Sequence, residues 1–326
     1  MRVSLIFTVL NEAASLPALL DSIAGQTRLP DEVIACDGGS CDETVALLRS
    51  EARFPLRVIE APGANISQGR NLAIAAAGHE VIACTDAGVR LHPRWLEHIT
   101  APLCADPEAD GPVAVAGFFL PDPHTTFEVA MGATVLPALD DIRPATFLPS
   151  SRSFAFRKSA WRAVGGYPEW LDYCEDVIFD LKLRARFGPF AFAPQAIAYF
   201  RPRGSLAAFF KQYYRYARGD GKADLFLARH LVRYTTYLIA LPALLAGIAL
   251  GGTPVKMAAL AALLGGVAAY TRGPYRRLAR AWGALPPVER LKAAALVPVI
   301  RLVGDVAKMI GYPAGVGWRW RHRPPG

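Results

Sequence analysis

The chain is expected to fold as an α/β domain, a sheet with helices on both faces, joined to a C-terminal group of apolar helices. Three features of its 326 residues carry that expectation. Short apolar runs alternate with amphipathic stretches over roughly the first 120 residues, the spacing of strand–helix–strand units. Polar and glycine-rich clusters fall just after several of those apolar runs. Past residue 225 the composition turns apolar and basic together.

Strands are expected at residues 3–8, 32–36, 56–60, 80–85 and 113–120, and helices at 14–24, 42–51, 67–77 and 93–103. Val81-Ile82-Ala83-Cys84 has no polar position, as a strand covered on both faces requires. The alternation of strand and helix predicts parallel pairing. In such sheets ligands sit beyond the carboxyl ends of the strands. There the sequence places Asn11-Glu12, Asp37-Gly38-Gly39-Ser40 and Asp86-Ala87-Gly88. Residues 121–150, rich in Pro, Thr and Asp without periodicity, are expected to form a loop over that edge. A second α/β stretch follows from 152 to about 198, with a helix over 174–187. An amphipathic helix over 206–217 then leads out of a domain set at 1–225.

Residues 226–326 form the second region. From Phe226 onward there are fourteen Lys/Arg against two acids, a net +12, which leaves −4 for residues 1–225 out of the total of +8. A nucleic-acid binder places its basic surface on the folded domain. Here the charge lies beside the most apolar segment, which suits anionic lipid headgroups, so membrane lipids are expected as partners and nucleic acid is not. Residues 234–255 contain no charge, enough for one crossing at roughly 20 residues each. Residues 257–271 form a second apolar run of fifteen, short of a ~30 Å core. The pair, about 234–252 and 255–271, therefore crosses the bilayer or dips into it as a hairpin. Arg229 and Arg233 precede it and Arg272, Arg276 and Arg277 follow, which places both ends on the cytoplasmic side. A third stretch, about 289–311, carries Arg301, Asp305 and Lys308 at helical spacing and is expected to lie in the headgroup layer.

Several classes drop out. Five cysteines in an odd, scattered set form neither a zinc pattern nor a disulfide framework. No Gly-x-Gly-x-x-Gly follows the first strand, so a dinucleotide-dependent oxidoreductase is disfavoured. The apolar start lacks a signal peptide's longer core and reads as a buried strand.

Five blocks in order resemble the family-2 glycosyltransferases: Thr8-Val9-Leu10-Asn11-Glu12, Asp37-Gly38-Gly39-Ser40 with Asp42, Gly69-Arg70-Asn71, Val164-Gly165-Gly166-Tyr167, and Glu175-Asp176. The resemblance runs from Met1 to about Gly221. It implies the GT-A fold, a Rossmann-like mixed sheet that binds nucleotide-sugars, and an inverting transfer from a nucleoside diphosphate-sugar, a UDP-sugar by preference. It places Thr8, Glu12, Asp37 and Arg70 around the nucleotide. Asp42 serves equally as a helix N-cap. Asp176 is implied as the base that takes the acceptor's proton, supported by Glu175. Two acids at a helix N-terminus also stand there for electrostatic reasons alone. The family usually carries Asp-x-Asp where this chain has Asp86-Ala87-Gly88. Asp86 is then the one metal-ligating acid implied for Mg²⁺ or Mn²⁺, hard cations that suit oxygen ligands. Gln212-Tyr213-Tyr214-Arg215-Tyr216-Ala217-Arg218 resembles the Gln-x-x-Arg-Trp element of membrane-bound relatives. Arg215 and Arg218 either clamp the leaving diphosphate or pair with lipid phosphates. The acceptor is expected to be a lipid, a lipid-linked sugar or a polysaccharide at the cytoplasmic face of the inner membrane. The rival, motivated by Gly88, is a catalytically inactive nucleotide-sugar-binding scaffold.

Overall fold

In the computed structural model, residues 1–104 and 111–324 are described. They form two compact units, Met1–Asp122 with Leu139–Arg201, and Pro123–Ala138 with Pro202–Gly326.

The first unit is the α/β unit. In chain order it holds β1 (Val3–Val9), α1 (Leu16–Ala24), β2 (Glu32–Asp37), α2 (Thr44–Ser50), β3 (Leu56–Glu60), α3 (Ile66–Ala76), β4 (Val81–Cys84), β5 (Val89–Leu91), α4 (Trp95–Cys104) and β6 (Ala114–Pro121). After the segment that belongs to the other unit come β7 (Phe154–Arg157), α6 (Lys158–Ala163), α7 (Glu175–Phe187) and β8 (Ala191–Phe200); α5 lies in that other segment. The strands run in the order β3-β2-β1-β4-β7-β6-β8-β5. β1 pairs in parallel with β2 and β4, and β2 with β3. β7 is antiparallel to both β4 and β6, so the sheet is mixed rather than parallel throughout.

Successive residues of each strand point to opposite faces, and the core follows that rule. Leu5, Phe7, Val33, Ala35 and Ala83 pack under Leu16 and Leu19 of α1 and Trp95, Leu96 and Ile99 of α4. Ile6, Ile34, Ile82, Cys84, Phe154 and Phe156 pack under Ala73 and Ile74 of α3 and Phe179 and Leu183 of α7. Gly117 sits where the β6–β8 register shifts. A Cβ there would stand 2.8 Å from the Ala196 carbonyl and closer still to Ser153 Oγ, so only glycine lets the strands meet. The α3 N-terminus is closed by a capping box: Asn65 accepts from the Gln68 N–H at 3.0 Å, and the Gln68 side chain accepts from the Asn65 N–H at 3.0 Å.

The second unit is helical: α5 (Thr126–Val135), α8 (Leu206–Lys222), α9 (Leu227–Thr235), α10 (Leu241–Leu250), α11 (Thr253–Ala281) and α12 (Pro287–His322). Residues 121–150 are thus not one loop. Their first half carries α5, capped by Thr125 Oγ1 accepting from the Glu128 N–H, and packs in the helical unit. Likewise α8 packs with the C-terminal helices, so by packing the units part at residue 201 rather than 225. α8 and α12 approach backbone to backbone: a Cβ on Gly311 or Gly315 would run into the carbonyls of Tyr214 or Arg218.

Two stretches, Leu227–Leu250 (24 residues) and Thr253–Ala284 (32 residues), are long and apolar enough to cross a membrane by length and composition. A five-residue π-helical stretch, Thr236–Ala240, joins α9 to α10 just before Pro242, whose missing N–H interrupts the regular ladder. The second apolar run, expected to be short, is part of the 29-residue α11, about 44 Å long. α12 extends the expected 289–311 to 36 residues. Its charged face is turned inward. Asp305 accepts from Arg233 Nε at 2.8 Å and Tyr237 Oη at 3.1 Å, Arg301 lies over the Tyr270 ring at 4.0 Å, and Lys308 over Tyr213 at 4.9 Å.

Candidate active site

The ends of β1 and β2 are laced into one edge. Asn11, in the left-handed region at φ 54°, accepts from the Cys41 N–H at 2.8 Å, and its own N–H donates to Ser40 Oγ at 2.8 Å. The Glu12 N–H donates to Thr44 Oγ1, and the Ala13 N–H to Asp42. Asp42 also accepts from the Thr44 N–H at 3.1 Å and so holds the turn before α2, whose N-cap position is Glu43 rather than Asp42. Asp37 is buried, with one carboxylate oxygen accepting from the Gly39 and Ser40 N–H groups at 2.9 and 3.0 Å and the other from the Ser40 hydroxyl. Its visible work is to shape this loop. The Glu12 carboxylate accepts from Ser15 at the start of α1. Thr8 lies against Gly69, where a Cβ would come within 2.9 Å of its methyl group, so glycine before Arg70 lets α3 close on β1.

Arg70 is the centre of the site. Its side chain is 3% exposed. Nη1 donates to Glu175 Oε1 at 2.6 Å and Nη2 to Asp86 Oδ1 at 2.8 Å, so one guanidinium bridges the end of β4 to the start of α7. The Tyr167 ring lies 5.3 Å from its Cζ. Arg152 reaches Asp86 from the other side, Nε to Oδ2 at 3.7 Å, with its guanidinium over Phe200 at 4.3 Å. α7 begins from Cys174, held at φ 66°, a strained conformation for a non-glycine residue. Its first turn presents Glu175 and Asp176 over an aromatic floor in which Tyr167 stacks on Phe179 at 4.1 Å.

Acids outnumber cations here: Asp86, Glu175, Asp176 and Asp180 against Arg70 and Arg152. Burial therefore pushes the Glu175 and Asp176 carboxyls above the usual range. Glu175 is spent on Arg70, whereas Asp176 Oδ1 accepts from the adjacent Val177 N–H at 2.9 Å. Among the described residues, Asp176 is the half-buried acid of the cluster with no hydrogen bond to another side chain.

Asp180 and Arg152 are the members that sequence reasoning missed. Asp180 lies one helical turn after Asp176, is 1% exposed, and neither carboxylate oxygen has a hydrogen-bond partner among the described residues. Burial, and then the Asp176 charge, raise its pKa well above the usual range, so it holds its proton. The native state then binds a proton that the unfolded chain releases above about pH 4. Stability is fullest below that value and falls as pH rises towards the folded pKa. Asp180→Leu is expected to make that decline shallower, read by urea unfolding between pH 5 and pH 8. An unchanged slope would assign the decline to other groups.

Thr8, Asp37, Arg70, Asp86, Glu175 and Asp176 all belong to the α/β unit, and Arg215 and Arg218 to α8 of the helical unit. Among the described residues no group of three or more His, Cys, Asp or Glu side chains gathers as metal ligands. Asp86 Oδ1 is bonded to Arg70, Oδ2 faces Arg152 at 3.7 Å, and Gly88 adds no side-chain oxygen. That donor set fits a cation carried in on a diphosphate, not one held by the chain alone.

A mixed sheet in this strand order, with helices on both faces, is a GT-A-like fold. Solved structures agree on the fold. A mannosyltransferase from Pyrobaculum calidifontis, in complex with GDP-Man and Mn²⁺, superposes with a TM-score of 0.63 at 20% identity, covering 94% of this chain and 87% of that one. S. aureus TarS 1–349 in complex with UDP-GlcNAc gives 0.51 at 17% identity, covering 99% and 93%. Residues 4–159 match the model of Glycosyl transferase family 2. Over those residues the chain is similar to the family-2 glycosyltransferases. Among sequence relatives, it is 27% identical over 199 residues to the O-antigen chain rhamnosyltransferase RfbN of Salmonella typhimurium, covering 56% of this chain and 61% of that protein's length. It is 26% identical over 292 residues to the succinoglycan biosynthesis protein ExoA of Rhizobium meliloti, covering 86% and 84%.

Proposed function

We propose that the chain transfers a sugar, with inversion, from a nucleoside diphosphate-sugar to a saccharide or lipid-linked saccharide in the synthesis of an envelope glycan. The observation that carries the reading is the Arg70 bridge: it ties Asp86 and Glu175 together and leaves Asp176 beside them without a side-chain partner. In this reading the acceptor hydroxyl attacks the anomeric carbon from the face opposite the diphosphate. The new C–O bond forms as the bond to the diphosphate oxygen breaks, the nucleoside diphosphate leaves with that electron pair, and Asp176 takes the hydroxyl proton. Burial raises its pKa above the usual carboxylate range, the direction that makes a carboxylate a stronger base. Thr8, Glu12 and the loop shaped by Asp37 flank the nucleotide, and Arg70 sets the Asp86 carboxylate. A divalent cation, when bound with the donor, offsets the leaving group's charge, with Asp86 as its protein ligand.

Relatives named for O-antigen and succinoglycan synthesis support a glycan acceptor, and neighbours solved with GDP-Man and UDP-GlcNAc support a nucleotide-sugar donor. The two apolar stretches support a membrane anchor, and their flanking arginines a cytoplasmic active site in the inner membrane.

Gly88 favours the second reading, an inactive nucleotide-sugar binder, and also supplies a test. A Cβ at this position meets nothing within 4 Å. Gly88→Asp is therefore expected to fold normally and to lower the Mn²⁺ concentration that gives half-maximal donor cleavage. A chain silent towards every donor, before and after this substitution, favours the scaffold.

A further inference from the structure

A groove of about 880 Å³ opens on the flank of the α/β unit, within the range of about 300–1,000 Å³ typical of ligand clefts. Helix geometry separates it from the Arg70 cluster. Gln68, Leu72 and Ala75 of α3 line the groove. At about 100° per residue they share one face of the helix, while Arg70 lies on the opposite face with the buried Ala73 and Ile74. The groove thus lies on the face of α3 turned away from Arg70, and its Pro62–Gly63 end adjoins the Gly38–Gly39 turn.

Its lining has a definite chemistry. Trp161 donates its indole N–H to Asn71 Oδ1 at 3.0 Å, which fixes the ring and leaves it an apolar surface to offer. Leu72 continues that apolar surface, and Gln68, Arg162 and Glu169 supply planar polar groups around it. One guanidinium and one carboxylate balance, so neither a phosphate nor a cation is favoured. A fixed aromatic beside planar hydrogen-bonding groups suits a ligand with apolar C–H faces and many hydroxyls.

The groove also touches the segment that carries the proposed base. Asn71 Nδ2 donates to the Tyr167 carbonyl and to Glu169 Oε1, both at 2.9 Å, and Asn65 Nδ2 to the Glu169 carbonyl at 2.7 Å. From Glu169 the chain runs through Leu171, whose carbonyl accepts from Ser67 Oγ at 3.3 Å, to Glu175 and Asp176. We propose that this groove binds a neutral stretch of the saccharide acceptor remote from the reacting hydroxyl. The proposal rests on the reading of the chain as a glycan-extending transferase.

The test uses the full chain in detergent, screened on an array of neutral and acidic oligosaccharides. The best binder is then titrated calorimetrically with and without saturating UDP or GDP. Saturable binding to neutral oligosaccharides, unaffected by nucleotide, is expected. Trp161→Ala should weaken it about tenfold or more, as loss of an aromatic anchor does. Arg162→Ala, at an exposed position that leaves the fold intact, should weaken it less. Both variants should keep wild-type donor cleavage and show a raised KM for the acceptor. Saccharide binding that nucleotide displaces, or that neither variant changes, would overturn the proposal. Donor cleavage without saccharide binding would overturn it and leave the transferase reading standing. Absence of both would remove the two together.

Discussion

Asp176→Asn is expected to lower sugar transfer by about 10²–10⁴-fold, the contribution of a positioned general base. The substitution keeps the shape and removes the acceptor of the proton. Because among the described residues the Asp176 carboxylate hydrogen-bonds only to the neighbouring backbone N–H, no side-chain hydrogen bond is lost and the fold should hold. Nucleotide affinity should change little, so the loss falls in kcat and not in donor binding. Transfer retained at wild-type rate would assign the base elsewhere in the cluster, with Glu175 next in line once freed from Arg70.

Arg70→Met is expected to destabilise the α/β unit by about 3–5 kcal/mol, the cost of removing one partner from a buried ion pair. Here one cation serves two carboxylates, so its removal strands the buried Glu175 beside Asp176 and leaves Asp86 with only the longer contact to Arg152. Arg70→Lys should recover only part of the loss, because an ammonium cannot span the two acids as the guanidinium fork does. Denaturant unfolding followed by the α/β unit's tryptophan fluorescence measures both variants. A loss under about 1 kcal/mol, typical of exposed pairs, would mean that Arg70 is not the keystone of the site.

The first half of the fold was legible because its local signals agree with one another. β4 is a continuous apolar run, β1 and β2 are built on Leu5–Phe7 and Val33–Cys36, and the spacing of Asn65 and Gln68 is that of a capping box at the start of α3. The observed bounds fall within two residues of the expected ones. What failed has physical causes. β5 is three residues long and carries Arg90, too short for any period. β8 contains Pro194, which breaks the pattern of a strand. β7 is four residues behind a long irregular segment, and its antiparallel pairing with β4 is a tertiary choice that strand–helix alternation does not encode. α5 had a readable start, Thr125 with Glu128 three residues on, hidden among prolines and acids.

The site was legible in its residue types and less so in their relations. Asp86, Arg70 and Glu175 lie far apart in sequence, and only the fold shows that one guanidinium joins them. Asp37 offered a carboxylate at a strand end, yet the structure spends that carboxylate on its own turn. Asp180 had a signal, an acid one helical turn from Asp176, but its burial without a partner was not encoded in spacing. Arg152 carried none, since an arginine ahead of a short strand is unremarkable until Asp86 lies across from it.

The central claim, nucleotide-sugar cleavage at the Arg70–Asp86 cluster, meets its most direct test in release of nucleoside diphosphate. The detergent-purified full chain is offered UDP-, GDP- and dTDP-sugars with Mn²⁺, beside its Asp86→Ala variant and a chelator control. Cleavage of one donor, lost in Asp86→Ala and with chelator, is the expected result. Cleavage untouched by Asp86→Ala, or nucleotide binding with no donor cleaved in the presence of a glycan acceptor, would contradict the account.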